Sequence, residues 1–221
     1  MSFKNGKIVG VVLGCVGIAI FASGVFAQDS APKVIDVNAQ VEMHGDASLP
    51  PGMDEAMMAK MKEYSTPNEN HKVLDQLVGS WTYSLKWWMS PDAKAEESTG
   101  SSEVKWILNG RFIEQSVTGT SMNQPFEGRG IIGFDNLKKE YTGVWLDNMA
   151  TGMMTSSGKY DSATKTFTEQ GSFSCPLVNG PRAYRTVTKI VDDNTHIYET
   201  YMNDKDGKEF KSMEITYTRK K

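Results

Sequence analysis

Hydrophobic and polar positions change rhythm once along this chain, at Gly79. Before it, apolar residues recur every three or four positions. After it, they recur every second position. Residues 53–64 place Met53, Met57, Met61 and Tyr64 at steps of four, four and three, which is the period of one helix face. Asp54 and Glu55 fall in the first turn, Lys60 and Lys62 nearer the end, an order that suits the helix dipole. A second helix is predicted from Thr66 to Val78. Thr66 serves as its cap, Pro67 fits the first helical position, and Glu69 stands where a capping box needs it. Val73, Leu74, Leu77 and Val78 form its stripe, and Gly79 stops it.

From Ser80 the spacing predicts ten strands: 80–90, 99–108, 111–119, 126–135, 140–148, 152–160, 165–173, 183–192, 195–203 and 208–219. Turn-forming residues separate them, among them Asp135-Asn136, Asp161-Ser162, Asn179-Gly180-Pro181, Asp192-Asp193-Asn194 and Asp206-Gly207. Asn109-Gly110 predicts a two-residue hairpin. Connections this short join sequential antiparallel strands. An open meander of this size would expose two long edges, and closing it removes both. The expected fold is therefore mainly β, a ten-stranded antiparallel up-and-down barrel with one or two short N-terminal helices. A barrel of this size has room for a small ligand.

Alternation also assigns faces. The first strand sets Trp81, Tyr83, Leu85 and Trp87 on one face, the last Met213, Ile215, Tyr217 and Arg219. If the barrel closes, those strands are neighbours, and Arg219 can lie across the Trp81 indole. Val104, Trp106 and Leu108 share a face, as do Tyr141, Gly143, Trp145 and Asp147. The ninth strand mixes polar and apolar groups on both faces, His196 and Tyr198 on one, Ile197 and Glu199 on the other. Its alternation does not orient it.

The first 27 residues change the picture of address. Lys4 and Lys7 precede an uncharged apolar run, and Val25-Phe26-Ala27 ends it with small residues at the two cleavage-site positions. This is the pattern of a signal peptide cut after Ala27, and the expectation is a periplasmic or extracellular protein. The same 20-residue run from Ile8 to Ala27 could span a bilayer uncleaved, but its glycines favour cleavage. Residues 28–52 read as a flexible tether, 53–78 as a helical segment closing the barrel, and 79–221 as the barrel. Removing the leader takes the formal net charge from −3 to −5. An acidic chain with scattered basic residues lacks the footprint of a nucleic-acid binder or of stable membrane association. Only Cys175 would remain of the two cysteines, so one mature chain has no disulfide framework. Oligomeric state is not encoded in any of these patterns.

Gly79-x-Trp81 after a short helix, matched by Arg219 in the last strand, resembles the signature of lipocalins, fatty-acid-binding proteins and other calycins. The spacing His71-Lys72-x-Leu74-x-x-Leu77-x-Gly79-x-Trp81 is similar to that of a bacterial family known as domain of unknown function 1579. Asn109-Gly110-Arg111-Phe112, Gly130-x-x-Gly133-Phe134-Asp135-Asn136, Trp145-x-Asp147, Gly158-x-Tyr160-Asp161 and Met213-Glu214-Ile215-x-Tyr217-x-Arg219 match it too. The resemblance covers about residues 66–221 and implies a calycin-like barrel. It implies no activity.

Candidate chemistry is sparse. No catalytic motif occurs, and no enzyme is expected. Gly128-x-Gly130-x-x-Gly133 has the letters of a dinucleotide fingerprint but no following helix, so these glycines read as bulges or tight curvature. The methionines of 53–64 read as a packing face rather than a thioether site for copper(I). No cofactor is expected. The ligand candidates are the interior residues Tyr83, Trp87, Trp106, Trp145, Asp147 and Tyr198, around a small apolar ligand. Gly79, Trp81 and Arg219 are assigned to closure. Asp147, Glu199 and Glu114 are the candidate acids or bases, and of these Asp147 follows Trp145 on the same face, toward the barrel mouth. One alternative is a haem barrel of the nitrobindin type, which needs an inward-facing histidine. Of three histidines only His196 lies on a strand. A further alternative is a structural or partner-binding envelope protein with no cavity.

Overall fold

The computed structural model describes residues 52–221. The expected signal peptide, and the tether up to residue 51, lie outside the described residues. The described chain falls into two compact units that divide after Ser65. The first contains α1 (Glu55–Ser65), which exposes Met57, Met61 and Tyr64. The second runs from Thr66 to the C-terminus. The single closing segment expected over 53–78 is thus split, and only residues from Thr66 onward belong to the barrel unit.

That unit begins with a single α-helical turn, α2 (Glu69–Lys72), followed by a 3₁₀ turn, Val73–Leu77. The cap is Asn68, not Thr66. The Asn68 Oδ1 accepts from the Asn70 amide at 2.9 Å, and the Asn68 amide donates back to His71 Nδ1 at 3.1 Å. Residue 71 thus fills the capping-box position expected for Glu69. Thr66 instead ties this segment to the Asp135-Asn136 turn, where its carbonyl accepts from the buried Asn136 side-chain amide at 2.9 Å. Pro67 biases Thr66 away from helical geometry, which moves the helix start downstream.

Ten strands follow: β1 (Gly79–Trp87), β2 (Glu96–Ile107), β3 (Phe112–Ser121), β4 (Gln124–Asp135), β5 (Glu140–Asp147), β6 (Met154–Asp161), β7 (Thr166–Cys175), β8 (Gly180–Asp192), β9 (Thr195–Asn203) and β10 (Glu209–Arg219). Each pairs antiparallel with the next, and β1 pairs with β10 to close the barrel. The Trp81↔Arg219 and Tyr83↔Tyr217 pairs set the closing register. Because β1 and β10 pair residue by residue, their apolar faces both turn inward.

Two turn assignments change. Asn109-Gly110 lies within a four-residue loop, since the last β2–β3 pair is Ile107↔Phe112. Leu108, Asn109 and Gly110 all have positive φ there. The two-residue turn is Met122-Asn123, between paired Ser121 and Gln124, with φ of 50° and 62°. These signs match a type I′ turn, whose twist fits the flanking strands. Bulges fall in β8 between Ile190 and Asp192 and in β10 between Lys211 and Met213. They do not fall at Gly128 or Gly130, whose pairing is regular on both sides.

The plug closes one end. Leu74 and Leu77 are buried, and the Trp81 indole donates to the Leu77 carbonyl at 2.9 Å. Arg219 lies over that indole, 4.0 Å from its centroid. Its guanidinium donates to the carbonyls of Val78 at 2.7 Å, Gln76 at 3.3 Å and Asp193 at 2.7 Å. Gly79 has φ of +134°, and a Cβ there would collide with Arg219. Trp106 joins the same seal by donating to Asp75 at 2.7 Å.

Arg219→Lys keeps the charge but not the planar fork over three carbonyls. It should lower unfolding free energy by about 2–4 kcal/mol in urea titration. Gly79→Ala adds backbone strain to the collision and should cost about 2–3 kcal/mol. Stability within 0.5 kcal/mol of wild type, read against ordinary surface substitutions, would remove the seal from its central place.

Candidate functional site

The interior has two unlike halves. Under the plug, Trp81, Ile113, Tyr141, Phe167, Ile190, His196 and Tyr217 are buried, with ring contacts joining Trp81 to His196, His196 to Tyr217 and Tyr141 to Phe167. Tyr141 meets Phe134 and Phe167 at centroid distances of 5.0 Å each, edge to face, a preferred aromatic geometry. The Tyr141 hydroxyl donates to the Asn70 carbonyl of the plug at 2.8 Å, and burial pushes its pKa up to about 12.

Toward the other end, inward-facing side chains keep partial accessibility. Leu85, Trp87, Trp145, Asp147, Met154, Ser156, Glu169, Phe173, Tyr198 and Met213 all do so. Strand pairing carries them around the wall. Gly143 faces Ser156, Ser156 faces Gly171, and Gly158 faces Glu169. Tyr198 is far enough from bulk solvent for burial to raise its hydroxyl pKa strongly, yet its side chain is not fully enclosed. A deep residue with residual accessible surface borders open space rather than packed core. This lumen-side half is less tightly filled than the plugged end, and the loops around its mouth carry exposed Met89, Met122, Met153, Leu177 and Val178, between 47% and 65% accessible.

Aromatic side chains approach the strand backbone closely on this wall where the strands carry glycine. A Cβ at Gly128 would collide with the Trp145 indole, and one at Gly130 would press it at 3.2 Å. Tyr83 lies against Gly100 and Gly119, and Tyr184 against Gly171, in the same way. The three glycines of the 128–133 motif thus make room for rings: Gly133 does so for Phe112. That is the reason for these glycines, in place of the bulges expected from the sequence.

The candidate residues are therefore not equivalent. Trp87, Trp145, Asp147 and Tyr198 face the lumen. Tyr83 is nearly covered, and Trp106 belongs to the plug seal. Asp147 uses both oxygens locally, accepting from Trp145 Nε1 at 2.8 Å and from the Met149 amide at 2.9 Å. It fixes the indole and the strand end, and no nucleophile stands against it. His196 faces inward but at the plugged end. Its ring stacks on Tyr217 at 4.4 Å and meets Trp81 edge-on at 4.4 Å. Those rings occupy the space a porphyrin would need, so the site does not fit haem. Among the described residues no cluster of metal-binding side chains occurs.

Sequence reading missed Glu169. It lies on the inner face of β7 between Phe167 and Phe173, which was the available signal: two phenylalanines fix that face as interior. Glu169 Oε1 accepts from Ser156 Oγ at 3.2 Å, and Oε2 accepts from Thr186 Oγ1 at 3.4 Å. Burial raises its pKa, opposed by those two hydroxyls. No basic side chain forms an ion pair with it among the described residues. Tyr184 and Tyr198 both feel its charge.

The profile of the family described as "Protein of unknown function (DUF1579)" matches residues 66–219. The chain belongs to this family. The DUF1579 match covers the plug and all ten strands, and stops short of α1. Among solved structures, Rv2717c from M. tuberculosis is similar at 14% identity and a TM-score of 0.53, covering 71% of this chain and 100% of that one. It shares the fold. An S-type phycobiliprotein lyase, CPES from Guillardia theta, aligns at 13% identity and a TM-score of 0.48, over 73% of this chain and 97% of that one. A redesigned β barrel aligns at 12% identity and 0.36, over 67% and 96%. Comparison with curated proteins finds no match.

His196 in this DUF1579 barrel supplies a pH test. Its Nδ1 is buried without a hydrogen-bond partner, and burial lowers its pKa from 6.5 to about 4, with the Arg219 charge adding to the effect. The unfolded chain therefore binds a proton that the folded chain refuses between those values. Its contribution is fully present above pH 6.5 and is lost as pH falls toward 4, by about 3 kcal/mol in all. Glu169 opposes it, because a raised carboxyl pKa favours folding at the acid side of its own range. Comparing wild type with His196→Phe isolates the histidine. The variant should be at least as stable at pH 7, and its advantage should grow by roughly 2–3 kcal/mol at pH 4. Parallel stability curves for the two proteins would refute this.

Proposed function

We propose that this protein binds a small, largely apolar molecule in the open half of its barrel. The observation that carries the reading is the partial accessibility of the inward-facing Trp87, Trp145, Tyr198, Phe173 and Met213. Concave sites of this composition, apolar with few placed polar groups, are the usual form of small-ligand sites. The apolar mouth supports it, since an entering ligand would meet Met89, Met122, Met153, Leu177 and Val178 first. Binding rather than catalysis is favoured by the state of the carboxylates: Asp147 has both oxygens occupied, and Glu169 faces hydroxyls with no nucleophile or second base beside them.

We also read the protein as exported, on the strength of Lys4, Lys7, the uncharged run and Val25-Phe26-Ala27. The expected mature N-terminus is Gln28, which N-terminal sequencing of material from the native host would reveal; a retained Met1 would defeat it.

Native mass spectrometry of protein purified gently from its own host should reveal a bound compound released on unfolding. Substituting Ser156→Phe should fill the lumen and abolish retention. Wild-type protein that retains no compound and takes up no neutral aromatic probe would overturn the binding reading.

A further inference from the structure

Glu169 is a carboxylate of the inner face that no basic side chain meets among the described residues; its partners are the Ser156 and Thr186 hydroxyls. Elsewhere on the barrel, interacting carboxylates have cations: Glu199 and Glu214 meet Lys211, Glu209 meets Arg185, and Glu114 meets Lys105. Those pairs lie on the outer face. Glu169, on the inner face, has two hydroxyls only. Arg182 is the basic residue of the inner face nearest the mouth on β8, and its guanidinium donates to the Asn203 carbonyl at 3.0 Å. A carboxylate taken from water without a cation is costly.

Its lone pairs are also incompletely used. A carboxylate accepts at about four positions, and Ser156 and Thr186 fill two. Around it stand aromatic faces. Tyr184 on β8 lies against Gly171, the residue that pairs with Ser156. Tyr198 on β9 pairs with Thr188, two residues from Thr186. Trp145 on β5 pairs with Met154, two residues from Ser156. Rings of this kind attract a cation through their faces. A carboxylate on the inner face with one hydroxyl donor on each oxygen, no cation paired with it among the described residues, and tyrosines near enough to feel its charge is complementary to an ammonium group.

We propose that Glu169 is the recognition point of the lumen, and that it takes the protonated amine of an otherwise apolar, ring-bearing ligand. The proposal rests on the lumen reading above and adds the sign of the ligand's charge. An ammonium provides donors for the vacant lone pairs and supplies the missing counter-charge. An organic acid would bring a second negative charge to the same place. Binding should drive any proton off Glu169, because the ammonium favours the ionised carboxyl. Among the groups facing it, Tyr184 and Tyr198 have pKa values raised by burial, so they stay neutral through the range in which Glu169 titrates.

Three probes with one ring system test this by calorimetric titration of the full chain: 1-naphthylmethylamine, 1-naphthalenemethanol and 1-naphthoic acid. At pH 7.5 the amine should bind at least about tenfold more tightly than the alcohol, as expected of a charge-assisted hydrogen bond. The acid should bind more weakly than either. The amine's advantage should shrink as pH falls through the Glu169 titration, while alcohol binding stays level. Glu169→Gln, which keeps both hydroxyl contacts, should bring the amine down to the alcohol and leave the alcohol unchanged. Equal binding of amine and alcohol to wild type, or a preference that survives in Glu169→Gln, overturns the proposal while leaving the lumen in place. Failure of all three probes to bind overturns both. Should the variant not fold, the wild-type selectivity and its pH dependence still decide the matter.

Discussion

One guanidinium holds this barrel shut. Arg219 arrives on the last strand, covers the first inward tryptophan, and hydrogen-bonds carbonyls from the plug and from the β8–β9 turn. Each contact joins parts of the chain more than 20 residues apart. The carbonyls of Gln76 and Val78 belong to the end of the 3₁₀ turn and the residue after it, where a helix leaves acceptors unpaired. A cation placed there satisfies them and tolerates burial because it is itself hydrogen-bonded. Gly79 follows from the same contact, since no side chain fits between that backbone and the guanidinium.

Closing one end firmly leaves the other free to stay open. Beneath the plug, rings meet edge to face and the polar groups present are either paired or, like His196 Nδ1, simply desolvated. Beyond them the wall sets glycine against aromatic rings. That arrangement thins the wall lining without breaking strand pairing. A wall of branched residues would have filled the same space. The looser filling of this half goes with glycine placed opposite tryptophan and tyrosine, and its polar groups include Asp147 and Glu169 with Ser156 and Thr186.

Much of the architecture is legible in the chain. Alternation in β1, the turn residues between strands and the Gly79-x-Trp81 step are local signals, and strand number, order and closure follow from them. Boundaries moved where a competing local bond won, as when Asn68 took the cap from Thr66, and where several positive-φ residues lengthened the 108–111 loop. The candidate site was less legible. Trp87, Trp145, Asp147 and Tyr198 do face inward, but alternation alone cannot say which end of a barrel a residue occupies. It placed Trp106 with the ligand group although its indole is spent on Asp75. It left β9 unoriented because both faces mix polar and apolar groups.

The sequence by itself determined that ten strands pair in order and that Trp81, Tyr83 and Tyr217 point inward, because period-two patterning and short turns leave no other burial of those faces. Tertiary structure decided what the interior is. His196 became a packed wall residue because rings from β1 and β10 close over it. Asp147 became a strand-end clamp because an indole two residues away takes one oxygen. Glu169 gained two hydroxyl donors because pairing of β7 with β6 and β8 brings Ser156 and Thr186 to its two oxygens. The outcomes at His196 and Glu169 depend on contacts across strands that no spacing within one strand records, whereas the Trp145–Asp147 bond lies within β5.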